Sequence, residues 1–305
     1  VTASCDESNL EKQPQTPTEA DYFLTESEFE RAVFAVYAKS NAHYAWNGGI
    51  YNNAPGTAFW QLPGDDMTTS GGSESAAFEA FNDLTPGNGI LSRFFKTSYE
   101  VIGRANVVLE KLDQENGVYQ TANLKAYHRG EVLFLRGYQN FLLWNYFGTA
   151  PLITERPEGK DDVFPSPSSG TQLLDQAIAD FTAAATLLPD NWDAANRGRV
   201  TKNSAHGFLG KALVFRGTVT NSAADFQAAI TSFDAIMGVS LVNDYSDNFA
   251  FDQENNSESL YEYQASQSAE ENIWLPDEFD NNAGSMSTSS WLPFEGINSW
   301  GYGGA

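Results

Sequence analysis

A dense run of apolar and aromatic positions between residues 131 and 147 dominates the pattern of the chain. Its apolar side chains fall on every side of a helix with 3.6 residues per turn, and such a helix is buried. The run is too short, and too often interrupted by polar residues, to cross a bilayer. Gly130 and Gly137 are poor helix formers, so we expect another backbone to approach there. The pattern predicts a central helix that ends at Gly148 and is packed on several sides.

Helical spacing of apolar residues predicts further helices on both sides of this run. The first begins near Thr25, because Thr25 and Glu28 fit a capping box. Others begin near Asn88 and just before Leu173. An alanine-rich helix pair covers 201–238, and such pairs are typical of tetratricopeptide repeats with a period of about 34 residues. We therefore predict a mostly helical fold that contains repeat-like helix pairs.

Two stretches lack helical periodicity and are rich in Asn, Gly, Ser and aromatic residues. The first is 41–75, and the second follows residue 264. Long loops of this kind are often functional. Between the helices and the second stretch, residues 257–264 alternate in polarity like a strand. The predicted fold is therefore mostly α, with long irregular loops and a minor β contribution.

Acidic residues outnumber basic residues by 40 to 17 among the 305 residues, which gives a formal net charge of -23. A chain of this charge repels phosphate groups, so composition excludes a nucleic-acid partner. Anionic lipid surfaces are disfavoured for the same reason. The sequence contains no run of eighteen apolar residues, so it predicts no transmembrane helix.

Motifs of the common catalytic and metal sites are absent from the sequence. There is no HExxH motif, no G-x-S-x-G elbow and no P-loop, and a single cysteine cannot form a thiolate zinc cluster. The three histidines, His43, His128 and His206, are far apart in sequence. His128 and His206 lie on predicted helices and are expected to be packed or solvated rather than catalytic. We expect no catalysis, cofactor or metal.

Acidic residues were considered separately, because paired carboxylates can hydrolyse glycosides and clustered ones can bind calcium. Asp65 and Asp66 are adjacent, as are Asp277 and Glu278. With forty acids, such pairs are expected by chance. The acids between residues 244 and 254 do not match an EF-hand, and a solvated acidic loop is the better interpretation.

The single cysteine, Cys5, follows the small residues Ala3 and Ser4. One cysteine allows no intrachain disulfide. The start of the chain resembles the end of a bacterial lipoprotein signal, in which the cysteine becomes the lipidated first residue. The alternative is an ordinary free cysteine near the chain end. Residues 6–20 are polar and contain two prolines. We expect 1–20 to be a lipoprotein tether and 21–305 to be a single domain.

A series of segments, in order along the chain, resembles landmarks of the SusD/RagB family. The most specific is GEVLFLRGYQNFLLWNYFGTAPLI in the central helix. The others lie at 10–18, 64–66, 99–106, 198–202, 258–264 and 299–305. Arg104 and Asn106, in the third of these segments, are expected to be hydrogen-bonded within the helical scaffold.

This resemblance implies a SusD-like fold with a tetratricopeptide-like scaffold. It also implies a lipid-anchored protein of the outer membrane, exposed at the cell surface, without catalytic activity. Such a protein captures an oligosaccharide or polysaccharide and delivers it to a SusC-like TonB-dependent transporter. The net charge favours a neutral glycan. The resemblance further implies that a C-terminal portion of the family has no counterpart in these 305 residues.

Aromatic residues in the two irregular stretches are the candidate glycan-binding groups. A sugar ring offers an apolar face to a flat aromatic side chain and hydroxyl groups to amides or carboxylates. Trp300 lies in a Gly-rich segment, and the resemblance implies a stacking aromatic there. The site is therefore predicted to have Trp300 as its main platform, together with Trp274, Tyr302, Asp65, Asp66 and either Trp46 or Trp60.

Two other functions stay open at this point. The first is a glycoside hydrolase of helical architecture, which hydrolysis of an oligosaccharide by the pure protein would identify. The second is a repeat scaffold that binds only protein, which a complete lack of glycan binding would favour.

Overall fold

The computed structural model of the protein describes residues 18–43, 55–65, 74–82, 84–159, 162 and 164–262. This part of the chain forms eight α-helices: α1 (Glu26–Asn41), α2 (Pro55–Trp60), α3 (Ala76–Ala80), α4 (Gly89–Gln114), α5 (Leu124–Phe147), α6 (Gln172–Leu187), α7 (Lys202–Thr220) and α8 (Ala223–Asp234). The same residues contain no β-strand, and one isolated antiparallel bridge joins Pro151 to Pro167. The prediction of a mostly helical fold is confirmed.

Polar side chains fix where the main helices begin. Thr25 and Glu28 form the predicted capping box at the start of α1, with the Glu28 carboxylate accepting from the Thr25 backbone N–H at 2.9 Å. Asn88 caps α4 through its side-chain oxygen, and Thr201 caps α7. Each cap satisfies backbone donors that a helix start leaves free, so these boundaries follow from the sequence.

Helix α5 lies at the centre of the fold, as its all-round apolar pattern predicts. It contacts α1, α4, α6 and α7, and its side chains from Gly130 to Leu143 are buried. A Cβ on Gly137 would come within 3.3 Å of the Ala177 backbone oxygen on α6. Gly137 therefore permits the close approach that was expected of it.

The helices from α4 onward form a consecutive array in which each helix packs on the next. The α7–α8 pair is tight because Gly210 faces the ring of Phe233, whose nearest atom would lie 2.4 Å from an added Cβ. This is the repeat-like helix pair predicted for residues 201–238. Helix α8 ends at Asp234, four residues before Gly238, because the last turn tightens into bonds from Ala235 to Ser232 and from Ile236 to Phe233.

Two local predictions differ from the structure. The irregular stretch 41–75 contains the short helix α2, which forms because Phe59 and Ala58 are buried against the core. The strand predicted at 257–264 is absent from residues 257–262. There the chain accepts one backbone bond from another segment, from Ser240 N–H to Ser257 C=O, makes a local turn bond from Ser259 N–H to Asn256 C=O, and packs Tyr261 on Phe134. The alternating pattern of this segment therefore reflects side-chain packing rather than backbone pairing with a neighbouring strand.

The first described residues contact the helical body. Residues 19–21 form a short 3-10 turn, and the Glu19 carboxylate pairs with Lys111 on α4 and with Arg156. The chain is thus attached to the fold from Glu19 onward. Among the described residues, no helix is both long enough and apolar enough to cross a membrane.

Candidate functional site

Trp60 and Asp65 are the predicted site residues that the structure describes. Trp60 ends α2 and is partly buried, with its ring edge-on to Phe94 at 6.3 Å. Asp65 is exposed in the turn that follows α2. The two are therefore near each other in the chain, at the edge of the first irregular stretch. The other predicted residues lie outside the described residues: Cys5, Trp46, Asp66, Trp274, Trp300 and Tyr302.

An aromatic cluster supports this edge of the fold. The Phe59 ring lies 4.2 Å from the ring of Phe94 and 4.9 Å from that of Tyr146, and Phe78 packs on its other side. Tilted and edge-on pairs of this kind add stability beyond the area that they bury. The cluster fixes α2 on α4 and on the end of α5, so Trp60 has a rigid base.

A buried ion pair joins α5 to α6. Arg136 donates to both carboxylate oxygens of Asp180, at 2.9 and 2.7 Å. It also donates to the Asn106 side-chain oxygen and to the Thr154 carbonyl. Asn106 in turn donates to the Glu155 carbonyl at 3.1 Å, which confirms its expected scaffold role. Buried charges are tolerated where pairing and hydrogen bonds are this complete.

Arg104, the neighbouring landmark residue, also serves the scaffold. Its guanidinium donates to the Ala35 carbonyl of α1 at 2.9 Å. It therefore links α4 to α1, as expected.

A second buried ion pair joins α5 to the segment that leads into α7. Arg199 donates to both carboxylate oxygens of Glu131, at 2.7 and 2.6 Å. Its remaining nitrogen donates to Glu30 and to the Asn196 side chain. The guanidinium is also stacked, 4.1 Å from the Trp192 ring centroid. Every nitrogen of Arg199 thus has an acceptor, and four of its five N–H donors are used, so this arginine mainly holds the loop.

The histidines pack within the helical body, as predicted for His128 and His206. His43 is buried and hydrogen-bonded to Gln139, and burial lowers its pKa to about 4. His128 is bonded to the Tyr119 hydroxyl, and burial, reinforced by the charge of Arg199, lowers its pKa to about 4. His206, on α7, is within bonding distance of Ser232.

Metal-binding groups were sought among the same residues. In the described part of the chain, no three His, Cys, Asp or Glu side chains come together in a way that could hold an ion. The Asp244 carboxylate accepts from Ser246 and caps a 3-10 turn, and hydrogen bonding to Ser246 lowers its pKa. The acidic segment near residue 250 is therefore a capped loop.

A polar cleft of about 310 Å³ opens between the loop after α6 and the segments after α8. We call it the loop cleft; its lining comes from residues 190–203, 238–239 and 255–262. A smaller cavity of about 180 Å³ shares Arg197 and Tyr261 with it. The lining combines one indole ring with amide, hydroxyl and carboxylate side chains, which is the mixture that sugar recognition needs.

Sequence reasoning missed the loop cleft, although a signal was present. Trp192 lies in the segment Pro-Asp-Asn-Trp-Asp, between two helices and outside any helical periodicity. The candidate aromatic residues of the two long irregular stretches have the same surroundings, because amides and acids flank them in a loop. The same reasoning therefore applies to the short loop between α6 and α7.

Two apolar grooves of about 660 and 480 Å³ adjoin along α7 and share Val214 and Phe215. Trp144 lines one of them, and Phe233 and Ile236 line the other. The groove lined by Phe233 and Ile236 has no hydroxyl or amide side chain, so it lacks the polar rim that a sugar requires. The groove lined by Trp144 is mostly apolar but includes Asn145, Thr149 and Thr218.

Comparison with protein families gives one match, to a SusD-like model described as starch-binding and associating with the outer membrane, over residues 24–214. Among curated relatives, SusD-like protein P2 of Formosa agariphila is 24% identical over 214 residues, which are 69% of this chain and 40% of that protein. SusD-like protein P25 of the same organism is 23% identical over 266 residues, covering 85% and 48%.

Solved structures share the fold. A laminarin binding SusD-like protein superposes with a TM-score of 0.68 at 24% identity, covering 81% of this chain and 52% of the other. Surface glycan-binding protein A from Bacteroides thetaiotaomicron, in complex with laminarihexaose, gives a TM-score of 0.69 at 19% identity, covering 88% and 54%. The chain thus spans about half the length of these proteins.

Proposed function

Because the chain belongs to the SusD-like family of starch-binding, outer-membrane-associated proteins, we propose that it is a glycan-binding protein of the bacterial cell surface. The observation that carries the proposal is the family match, which extends from the start of α1 into α7. The helical scaffold, the capped helix starts and the two buried ion pairs all lie within or beside that match. Function is inferred here from the family, since the fold alone does not determine activity.

The proposed ligand is a neutral polysaccharide or oligosaccharide. Solved proteins with this fold include a laminarin binding SusD-like protein and a surface glycan-binding protein in complex with laminarihexaose, and both ligands are uncharged glucans. A net charge of -23 supports a neutral ligand, because an anionic polymer would be repelled. Laminarin and starch are therefore the first glycans to test.

We propose that the main binding platform is Trp300, with Trp274 and Tyr302 beside it. Asp65 and Asp66 supply acceptors for the sugar hydroxyls. The exposure of Asp65 supports this assignment. Trp60 and Trp46 are the candidates for a second stacking surface, and the partly exposed indole of Trp60 rests on the aromatic cluster around Phe94.

The proposal includes attachment and delivery. Cys5 carries the lipid, the residues up to about Thr18 form the tether, and a SusC-like TonB-dependent transporter receives the glycan. These steps are supported by the resemblance of the chain to the family and by the lipoprotein-like start. Binding is the whole activity: the absence of catalytic motifs from the sequence supports a protein that does not hydrolyse its ligand.

Affinity electrophoresis in gels containing laminarin or soluble starch tests the proposal. We expect retardation by at least one of them, and Trp300→Ala should weaken binding by about 1–3 kcal/mol, because stacking on an indole is lost. Phe164→Ala, which removes an exposed aromatic ring outside both irregular stretches, is the matched control and should bind as the parent does. Unchanged affinity in Trp300→Ala would move the platform elsewhere, and release of reducing sugar by the pure protein would favour the hydrolase.

A further inference from the structure

The loop cleft is rigid before any ligand arrives. Its floor is Arg199, which is held by Glu131, Glu30 and Asn196 and stacked on Trp192. One wall is fixed by two bonds between Asn203 and the backbone of Met237. A site whose walls are already bonded loses little conformational entropy on binding.

The opposite wall is fixed by Arg197 and Glu262. One terminal nitrogen of Arg197 donates to the carbonyls of Glu254 and Asn255, at 3.2 and 2.8 Å. The Glu262 carboxylate accepts from the Asn255 N–H with both oxygens at 2.9 Å. Asn255 has a positive φ of 53° and is therefore held in a conformation that few side chains adopt. Both walls are thus built from specific contacts.

Several side chains that line the cleft have hydrogen-bond donors or acceptors without a partner in the described chain. The exposed side chain of Asn191 and the hydroxyl of Ser259 have no partner among the described residues, and the other nitrogens of Arg197 have none there either. Trp192 is partly exposed and lines the same space; Arg199 stacks on its ring and its N–H donates to the Val200 carbonyl, so only the remaining ring surface is available to a ligand. These groups offer a donor, an acceptor and an aromatic surface side by side.

Charge and composition decide which ligand fits. Two arginines and three carboxylates line the cleft, and Arg199 is already neutralised by Glu131, so an anion gains little there. The described residues offer no metal-binding cluster at this position. An apolar ligand would leave the amides and hydroxyls unpaired, which is costly. A neutral, hydroxyl-rich molecule satisfies them.

We infer that the loop cleft is a second carbohydrate-binding site, which takes one uncharged sugar unit of a glycan. Its volume of about 310 Å³ lies at the small end of ligand pockets, so it suits a chain end or a branch. The inference rests on the proposed function and deepens it, since a second point of contact on the same polymer raises the effective affinity. It is built from residues other than those of the Trp300 platform.

The test uses the full chain labelled with 5-fluorotryptophan and observed by ¹⁹F NMR. The chain has seven tryptophans, and Trp192→Phe assigns the Trp192 resonance by its disappearance. Glucose, laminarihexaose and maltohexaose are the probes. We expect the Trp192 resonance to shift saturably with at least one of them.

Two variants fill the cleft from opposite sides: Ser259→Phe and Asn191→Phe. Both residues line the cleft, so each new ring should abolish the shift of the Trp192 resonance. Ser27→Phe, at an exposed position on α1, is the matched control and should leave the shift unchanged. Circular dichroism identifies any variant that does not fold, and the other filled variant then supplies the answer.

The outcomes separate the inference from the proposed function. If the glycan binds in the gel and moves other tryptophan resonances but not that of Trp192, the second site is wrong and the proposed function stands. If the Trp192 shift persists in both filled variants, the sugar does not enter the cleft and the inference is again wrong. If no glycan binds by either method, both are overturned.

Discussion

Helix α5 carries two buried ion pairs, and each lies beside a glycine. At one position Gly137 follows Arg136, which binds Asp180 of α6. At the other, Gly130 precedes Glu131, which binds Arg199 in the loop before α7. The first pair joins two helices, whereas the second joins a helix to a loop.

This difference shows where rigid scaffold ends and ligand-accessible surface begins. Around Arg136 every neighbouring segment is packed, and Asp180 is only 2% exposed. Around Arg199 the loop folds over the ion pair while leaving Trp192 and Arg197 partly open to solvent. A buried ion pair can therefore either close a core or support a binding surface, depending on which segment supplies the partner.

Removing the carboxylates should have the largest effect on stability. Asp180 is the only carboxylate bound to Arg136 in the described structure, so Asp180→Ala should lower the free energy of unfolding by about 3–5 kcal/mol, because a charge is left buried without its partner. Glu131→Ala should cost less, since Arg199 keeps Glu30. Urea denaturation measures both.

A double variant serves as the control for this prediction. Arg136→Met with Asp180→Leu replaces the pair by apolar groups and should recover most of the lost stability. Equal losses in Asp180→Ala and Glu131→Ala would contradict the distinction between the two ends of α5.

Substituting the two glycines of α5 should have a smaller and more local effect on stability. An added Cβ at Gly137 would lie 3.0 Å from the Asp180 Cβ and 3.3 Å from the Ala177 backbone oxygen, so Gly137→Ala should destabilise the fold by about 1–3 kcal/mol. At Gly130 the contacts are side-chain atoms of Leu187 and Leu188, the nearest at 2.9 Å. Those leucines can adjust, so Gly130→Ala should cost less.

Gly103 on α4 is the matched control for both substitutions. No atom lies within 4 Å of a Cβ added there, so Gly103→Ala should stabilise the protein by up to about 1 kcal/mol through helix propensity alone. Thermal unfolding of the three variants ranks them. A destabilising Gly103→Ala, or a harmless Gly137→Ala, would show that close packing of α5 on α6 is not the reason for these glycines.

The sequence predicted the scaffold better than the site, for a physical reason. Helix starts are determined by nearby residues, as at Thr25 and Asn88, and the burial of α5 follows from its own composition. The Arg199–Glu131 pair joins residues that are 68 positions apart, so no local pattern shows it. The short helix α2 was missed because it depends on packing against Phe94 rather than on propensity.

A site residue could be predicted only where its neighbours in the sequence already indicate a binding role. The Gly-rich surroundings of Trp300 predict it as a binding platform, and it lies outside the described residues. The loop cleft needs three segments that are brought together by Arg197, Asn203 and Glu262. Its indole was visible in the sequence, but the polar groups around it become neighbours only in the folded chain.

Acid should act on the two ends of α5 through buried histidines. His128 lies three residues before Glu131, and His43 binds Gln139, three residues after Arg136; both have a pKa of about 4, below the ordinary 6.5. The unfolded chain therefore takes up protons between pH 6.5 and 4 that the folded chain refuses. Stability is complete above pH 6.5 and is lost as the pH falls, by roughly 1–2 kcal/mol per histidine at pH 5.

Comparing the stability of His128→Gln with that of His43→Gln at pH 7 and pH 5 identifies the cause of the acid-induced loss of stability. Burial is the main cause of both pKa shifts; the charge of Arg199 adds to it at His128, and the charge of Lys39 adds to it at His43. If burial dominates, each variant should remove a similar share of the acid-induced loss in the urea midpoint, because each ring is fully buried. A much larger share for His128→Gln would mean that Arg199 sets the acid response and that the loop end of α5 opens first. An unchanged loss in both variants would show that neither histidine is held neutral by the fold.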